Sequence, residues 1–388
     1  STVTLSGGDD VLTTTSEFTQ NLTVVGGTGT LTITHNGTGT LNLTGGSGVD
    51  TINLGVGNAT VTGGGGADVV DMSSGTLNYT GGSAADTINI ATGELTSADT
   101  IAGSTGTDVI AVSVDNTTLV DADFTNVTAV EELTASGGNT LTVTLGAEAL
   151  EATLDSITGH TGADSINAAG FGAAITIVGG TGNDTIVGTS TAHIDTITPG
   201  AGSDHITITD TGTTAADVIT LETVDGTQGV DTIVGFVSGT DTIGLENTNT
   251  SLGSADNAET ALEVDFTSLL TVGAATVDMA TSIDTNGFDF YEALNLSQDN
   301  MDLTTTFTGA ELLKGFAASG ATAAGSLTID ADEDFFLIAY DGGNAYVFNV
   351  TGGGDKIVAA AEIFPVVEIT GIAHGGLNGA NGGDFNLA

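Results

Sequence analysis

The sequence predicts an all-β protein, a parallel β-solenoid followed by a C-terminal domain that is also mainly β. Three observations predict it. Residues 36–89 divide without a gap into six nine-residue units. An apolar or aromatic residue recurs at one fixed place in every unit, the signature of stacked structural repeats. The chain also holds 59 Gly against 2 Pro, which suits many tight turns.

The units read NGTGTLNLT, GGSGVDTIN, LGVGNATVT, GGGGADVVD, MSSGTLNYT and GGSAADTIN. Their eighth positions are Leu43, Ile52, Val61, Val70, Tyr79 and Ile88. Each unit is a glycine-rich turn followed by a short strand, where β-branched residues fit. Two units make one coil. The sixth position alternates Leu41, Asp50, Ala59, Asp68, Leu77, Asp86. Asp50, Asp68 and Asp86 therefore stack on one edge of successive coils, and Leu41, Ala59 and Leu77 stack on the opposite edge, turned inward as core.

Stacked carboxylates repel unless a cation lies between them. The chain has 49 Asp+Glu against 2 Lys+Arg (Lys314 and Lys356), a formal net charge of −47, and such self-repulsion opposes a compact state. With 39% hydrophobic residues the chain is nonetheless rich enough in core formers to fold. Calcium takes six to eight oxygen ligands from carboxylates and main-chain carbonyls, and glycine turns carrying one Asp per coil supply both. The alternative, that GG and DT are turn chemistry alone, does not account for a phase held over six consecutive units. The acidic balance excludes nucleic acid and anionic membranes as partners, since both require basic patches. No apolar run is long enough to span a membrane, and there is no cysteine for a disulfide or thiolate site.

Gly45-Gly46-Ser47-Gly48-Val49-Asp50-Thr51-Ile52, Gly63-Gly64-Gly65-Gly66-Ala67-Asp68-Val69-Val70 and Gly179-Gly180-Thr181-Gly182-Asn183-Asp184-Thr185-Ile186 resemble the GGxGxDxU calcium-binding repeat of the RTX family. Copies with one altered glycine lead to Asp86 (after Gly81 and Gly82), Asp108 (Ser104 in second place), Asp164 (His160), Asp204 (Pro199 in first place) and Asp231 (Thr227). The resemblance implies a right-handed parallel β-roll binding several Ca2+ ions. Its ligand-bearing turns hold Asp50, Asp68, Asp86, Asp108, Asp164, Asp184, Asp204, Asp231 and Asp241. Their glycines are Gly45, Gly46, Gly48, Gly63, Gly64, Gly66, Gly81, Gly82, Gly179, Gly180 and Gly182.

Four regions follow. Residues 1–110 form a first repeat block, beginning in mid-pattern at Leu5-Ser6-Gly7-Gly8-Asp9-Asp10, as expected of a processed or excised piece of a longer chain. Residues 111–158 resemble the spacer between RTX blocks of large bacterial surface proteins, S-layer proteins included; decayed solenoid coils are the alternative. In the second block, residues 159–245, Asp164, Asp184 and Asp204 recur at intervals of 20, with less regular copies at Asp195, Asp217 and Asp231. It ends in Asp231 to Leu245, a stretch that resembles the element closing many RTX rolls, an aspartate strand, a buried Phe236 and a second aspartate strand at Asp241-Thr242-Ile243. Residues 246–388 lack the repeat. They read as short helices at Glu259–Leu270 and Gly309–Ala318 and a hairpin across Asp341-Gly342-Gly343-Asn344. The polar end resembles a type I secretion signal.

No catalytic constellation is visible: no HExxH, no GxSxG and no cysteine nucleophile. His193 and His205 read as ordinary turn or strand residues. A threonine array for binding ice is spoiled by Asn42 and Asn78 in the outward pairs. The resulting expectation is a secreted, non-enzymatic structural protein of the bacterial cell surface. An S-layer or similar self-assembling lattice leads, with self and calcium as partners and a cell-surface polysaccharide as a further candidate. An RTX adhesin or biofilm-matrix protein, or the C-terminal part of a secreted hydrolase, are the alternatives.

Overall fold

A computed structural model describes residues 1–113, 116–138, 140–190, 193–210, 215–221, 229–245, 276–278, 289–292, 301–316, 326–328, 335–351, 357–373, 377 and 384–387. The expected helix at Glu259–Leu270 lies outside them. The chain forms two compact units, residues 1–191 and 192–388.

Residues 1–191 are a parallel β-solenoid. One sheet stacks Thr2–Thr4, Leu22–Val25, Leu41–Gly46, Ala59–Gly64, Leu77–Gly82, Thr100–Ser104 and Val127–Thr128. A second runs Asp10–Thr14, Leu31–His35, Thr51–Leu54, Val69–Asp71, Thr87–Ile90, Val109–Val112, Glu132–Ala135, Ser156–Thr158 and Thr176–Thr181. A third begins at Thr117–Leu119 and passes through Leu141–Thr144 and Ser165–Asn167 to Thr185–Val187. Register is strict: Leu41 pairs with Ala59 and Ala59 with Leu77, while Ile52 pairs with Val70 and Val70 with Ile88.

Alternation along each strand sends every second side chain inward. Leu43, Ile52, Val61, Val70, Tyr79 and Ile88, the eighth positions of the six units, are all buried. So are Leu41, Ala59 and Leu77, as the dry-edge reading requires. The turns depend on glycine. Gly64 has φ +110°, and a Cβ there would stand 2.1 Å from the carbonyl oxygen of Gly46 in the preceding coil.

Residues 111–158 continue the solenoid. Val109 pairs with Glu132, Glu132 with Ser156 and Ser156 with Thr176. The additional residues form a 3-10 turn at Asp121–Phe124 and a short helix at Ala147–Glu151. The Asp121 carboxylate caps that helix, accepting the N–H of Ala149 at 3.0 Å.

In residues 192–388, parallel ladders join Thr196–Ala201, Val218–Leu221, Thr242–Leu245 and Phe385–Leu387, and separately His205–Thr207, Asp231–Val234 and Ile363–Ile369. The predicted hairpin is present, with Phe335–Asp341 antiparallel to Asn344–Val350. Gly342 and Gly343 form its turn at φ +58° and +89°, as a two-residue hairpin loop of the favoured handedness requires. The predicted helix spans Gly309–Gly315, its Thr308 hydroxyl accepting the Glu311 N–H. Leu312, Phe316, Leu337, Tyr346, Phe348 and Ile363 share one core cluster there, with Phe307 edge-on to Tyr346 and Phe348. Among the described residues no helix is long and apolar enough to cross a membrane.

Candidate metal centre

At the turn before four successive strands of the second sheet, Thr51–Leu54, Val69–Asp71, Thr87–Ile90 and Val109–Val112, the chain places one aspartate, and these aspartates are linked in series. Asp68 Oδ1 accepts the N–H of Asp50 at 2.8 Å, Asp86 Oδ1 that of Asp68 at 2.9 Å, and Asp108 Oδ1 that of Asp86 at 2.7 Å. Asp50 Oδ1 begins the row by accepting the Leu31 N–H, and Glu131 Oε2 takes the Asp108 N–H. Each carboxylate therefore lies across one coil boundary.

The second oxygen of each is different. Oδ2 of Asp50, Asp68, Asp86 and Asp108 is buried and has no hydrogen-bond partner. The missing glycine side chains make room for it. A Cβ on Gly45 would lie 2.2 Å from Asp50 Oδ2 and 2.4 Å from the Gly63 carbonyl oxygen. On Gly63 it would lie 2.4 Å from Asp68 Oδ2, and on Gly81 it would lie 2.3 Å from both Asp86 Oδ2 and the Gly103 carbonyl oxygen. At Gly45, Gly81 and Gly103 the first glycine of the turn is thus a cradle where a carboxylate oxygen and a main-chain carbonyl crowd together, and at Gly63 the Tyr79 hydroxyl stands beside the carboxylate instead. The buried Tyr79 hydroxyl, also without a partner, reaches the same row.

Burial raises the pKa of Asp50, Asp86 and Asp108 above the ordinary carboxylate range. It pushes Asp68 up to about 7, helped by the charges of Asp86 and Asp50 on either side. A buried carboxylate with an unpaired oxygen is costly to keep ionised. The chain has only 2 Lys+Arg to offer it, and Lys314 is paired with Glu311. The donors are oxygens alone, an unpaired carboxylate oxygen beside a glycine carbonyl, and that set fits a hard cation such as calcium. Among the described residues no three acidic or imidazole side chains converge on one point, so main-chain oxygens must form much of any shell.

The other predicted aspartates fall into separate rows. Asp164 Oδ1 accepts the Leu141 N–H and Asp184 Oδ1 the Asp164 N–H, on the edge of the third sheet. Asp164 Oδ2 is taken by the His160 N–H at 2.6 Å. In residues 192–388, Asp204 and Asp231 belong to one row, Asp231 Oδ1 accepting the Asp204 N–H at 2.9 Å. Asp241 belongs to another, in which Asp241 Oδ1 accepts from Asp217 and Asp217 Oδ1 from Asp195. That unit therefore carries carboxylates along two sheets, an arrangement hidden by their irregular spacing. Gly48, Gly66 and Gly182 also lie in these turns; at Gly66 and Gly182, with φ +104° and +131°, a Cβ would meet the carbonyl of Gly48 and Gly162 in the neighbouring coil. A Cβ on Gly46, Gly82 or Gly180 would meet the carbonyl of Gly27, Gly64 or His160. Gly179 contributes the carbonyl oxygen that would stand 2.2 Å from a Cβ on Gly159.

Two acidic positions that accept main-chain N–H groups across a coil boundary escape the nonapeptide register. Asp99, buried, stands on the otherwise dry edge, where its Oδ1 accepts the Leu77 N–H at 2.8 Å. Its Oδ2 is satisfied by Thr96. The triplet Asp99-Thr100-Ile101 repeats Asp50-Thr51-Ile52 and Asp86-Thr87-Ile88, which was the available signal. Glu131 replaces an aspartate at the end of the row, and its longer side chain spans a longer coil.

Residues 42–76 and 176–206 match the family model of the RTX calcium-binding nonapeptide repeat, in four copies. No curated protein and no solved structure gives a significant match to the chain.

Proposed function

From these RTX calcium-binding repeats we propose that the protein is a secreted, non-catalytic structural component of a bacterial cell surface, the subunit of an S-layer or similar self-assembling lattice. The observation that carries the reading is the row of buried carboxylates, Asp50, Asp68, Asp86 and Asp108, each with one oxygen unsatisfied at a glycine cradle. Such a row makes the fold conditional on a cation found at millimolar concentration outside cells. Asp50, Asp68, Asp86 and Asp108, with the glycine carbonyls beside them, would hold the ions. A bound ion supplies positive charge and oxygen coordination where the chain has none.

The same charge balance supports assembly. A chain of formal net charge −47 keeps copies apart in low calcium, and divalent ions bridging exposed carboxylates of neighbouring copies reverse that. Monovalent salt only screens, and magnesium dehydrates reluctantly. The expected result is ordered sheets or filaments in millimolar calcium, but not in magnesium or in sodium chloride of matched ionic strength. Light scattering followed by electron microscopy tests this. A monodisperse monomer in all three salts overturns the lattice reading in favour of an adhesin that binds without assembling.

A further inference from the structure

Tyr79 is the one polar residue in its inward row. Val24, Leu43, Val61, Ile101 and Val127 stand in register with it along the first sheet, and all are buried. An aliphatic side chain suits that place, whereas a phenol carries an O–H into a core where an unpaired hydroxyl is destabilising. Tyr79 is nonetheless 0% exposed, and its hydroxyl has no hydrogen-bond partner. That hydroxyl reaches one particular turn. From the position of a Cβ on Gly63, Asp68 Oδ2 stands 2.4 Å away and the Tyr79 hydroxyl oxygen 3.1 Å, and no main-chain carbonyl comes as near. At Gly45, Gly81 and Gly103 the corresponding neighbour is a carbonyl oxygen, of Gly63, Gly103 and Ala129, at 2.4, 2.3 and 1.9 Å.

We infer that the Tyr79 hydroxyl is a calcium ligand at the Asp68 turn, taking the part that a main-chain carbonyl plays at the neighbouring turns. Asp68 Oδ1 is held by the Asp50 N–H at 2.8 Å, so Oδ2 is the oxygen it can offer. Oδ2 and the hydroxyl border the same small space, both are buried, and neither is hydrogen-bonded. An ion with ~2.3–2.6 Å bonds to oxygen bridges two such oxygens, which do not bond each other. Burial, and then the charge of Asp86, holds the phenol pKa above its ordinary range, so the oxygen enters neutral, as a carbonyl does. The site differs from the others in one useful way. A carbonyl cannot be deleted by substitution, and a hydroxyl can.

The inference rests on the calcium reading above, and one experiment separates them. Full-length wild type, Tyr79→Phe and Tyr79→Leu are titrated with calcium by equilibrium dialysis, and with terbium(III), an oxygen-seeking ion whose emission is excited through a nearby tyrosine. Tyr79→Phe keeps the ring and removes the oxygen. Tyr79→Leu installs the residue found at the equivalent Leu43 and serves if the phenylalanine variant misfolds. The expected result is one ion held at least about tenfold more weakly, since even loss of an outer-shell partner costs that much, together with a drop in tyrosine-sensitised terbium emission. The melting temperature of Tyr79→Phe should fall in calcium and hold or rise in chelator, where only an unpaired hydroxyl has been lost. A fall of equal size in both media assigns the hydroxyl to the fold alone and overturns the ligand role. Unchanged calcium affinity in either folded variant also overturns it and leaves the aspartate turns standing. A wild-type chain that binds no calcium overturns both.

Discussion

Between Leu41 and Ile90 the solenoid advances 18 residues per coil, with a buried aspartate at each turn of the second sheet. Between Thr117 and Thr158 it advances by 23 or 24 residues. There the glycine turns give way to the 3-10 turn at Asp121–Phe124 and the helix at Ala147–Glu151. Yet the ladder is continuous, and Ile88, Ile110, Leu133 and Ile157 remain in register and fully buried. The aliphatic row is therefore sufficient to stack coils. The glycine turn has a narrower purpose, to bring a carboxylate against a neighbouring backbone without a Cβ in the way. Where the glycines stop, the row stops as well: Glu131 closes it, and Asp155 in the next coil is exposed.

Calcium withdrawal breaks this comparison most forcefully. An ion held at 100 times its dissociation constant contributes ~2.7 kcal/mol, and a row of them rivals the ~5–15 kcal/mol of an ordinary domain. In chelator, amide hydrogen exchange is expected to accelerate most in Thr51–Leu54, Val69–Asp71 and Thr87–Ile90, and least in Glu132–Ala135 and Ser156–Thr158. Equal loss of protection in both stretches would show that the two are not held differently.

The dry edge gives the next effect. Leu77→Ala, at a fully buried position, should cost ~2–5 kcal/mol by denaturant titration, equally with and without calcium. A cost that vanishes in chelator would place Leu77 in the ion-dependent machinery.

Asp68→Asn keeps an acceptor for the Asp50 N–H and removes only charge, so its sign should depend on the medium. It should destabilise in calcium and stabilise in chelator above neutral pH. The pH dependence follows the same logic. Burial raises the Asp68 pKa to about 7, above the ~3.9 of an unfolded aspartate. Protonation thus favours the folded state: the metal-free contribution is complete below about pH 4 and is lost as pH rises through 7. Melting temperature in chelator should accordingly rise from pH 8 to pH 5, and a fall would contradict the burial of this row.

The smallest effect sharpens the role of glycine. Ser104 replaces the second glycine of its turn and takes φ +86°, a conformation costing an L residue about 1 kcal/mol or more. Asp108 is buried even so. Ser104→Gly should stabilise by ~1 kcal/mol in thermal melts, and no change would mean that the turn relaxes around serine.

The coil period, the two edges and the inward eighth positions were legible because each depends on residues at fixed spacing within one coil. Asp99 was not, because it follows Asp86 by 13 residues and so falls out of phase. The partition of Asp204 and Asp231 from Asp217 and Asp241 was hidden for a related reason. Coils of unequal length remove the arithmetic by which a spacing identifies a sheet edge. The continuation of strands through residues 117–158 rests on Leu133 and Ile157, two apolar residues with no repeat around them.

Strict register across coils of 18 residues also decides how such a gene can lengthen or shorten. Loss of one whole coil, for example residues 55–72, joins Leu54 to Ser73 and leaves every aspartate above an aspartate and every leucine-edge residue above its like. Loss of a single nonapeptide instead brings Asp50-type positions over Leu41-type positions, burying a charge in the dry edge, just as a one-residue slip inverts the faces of a strand. Circular dichroism in calcium should show the 18-residue deletion folded and the nine-residue deletion not. Copying errors are then filtered at the level of the coil, and this molecule's length can drift between lineages in whole coils while its edges keep their chemistry.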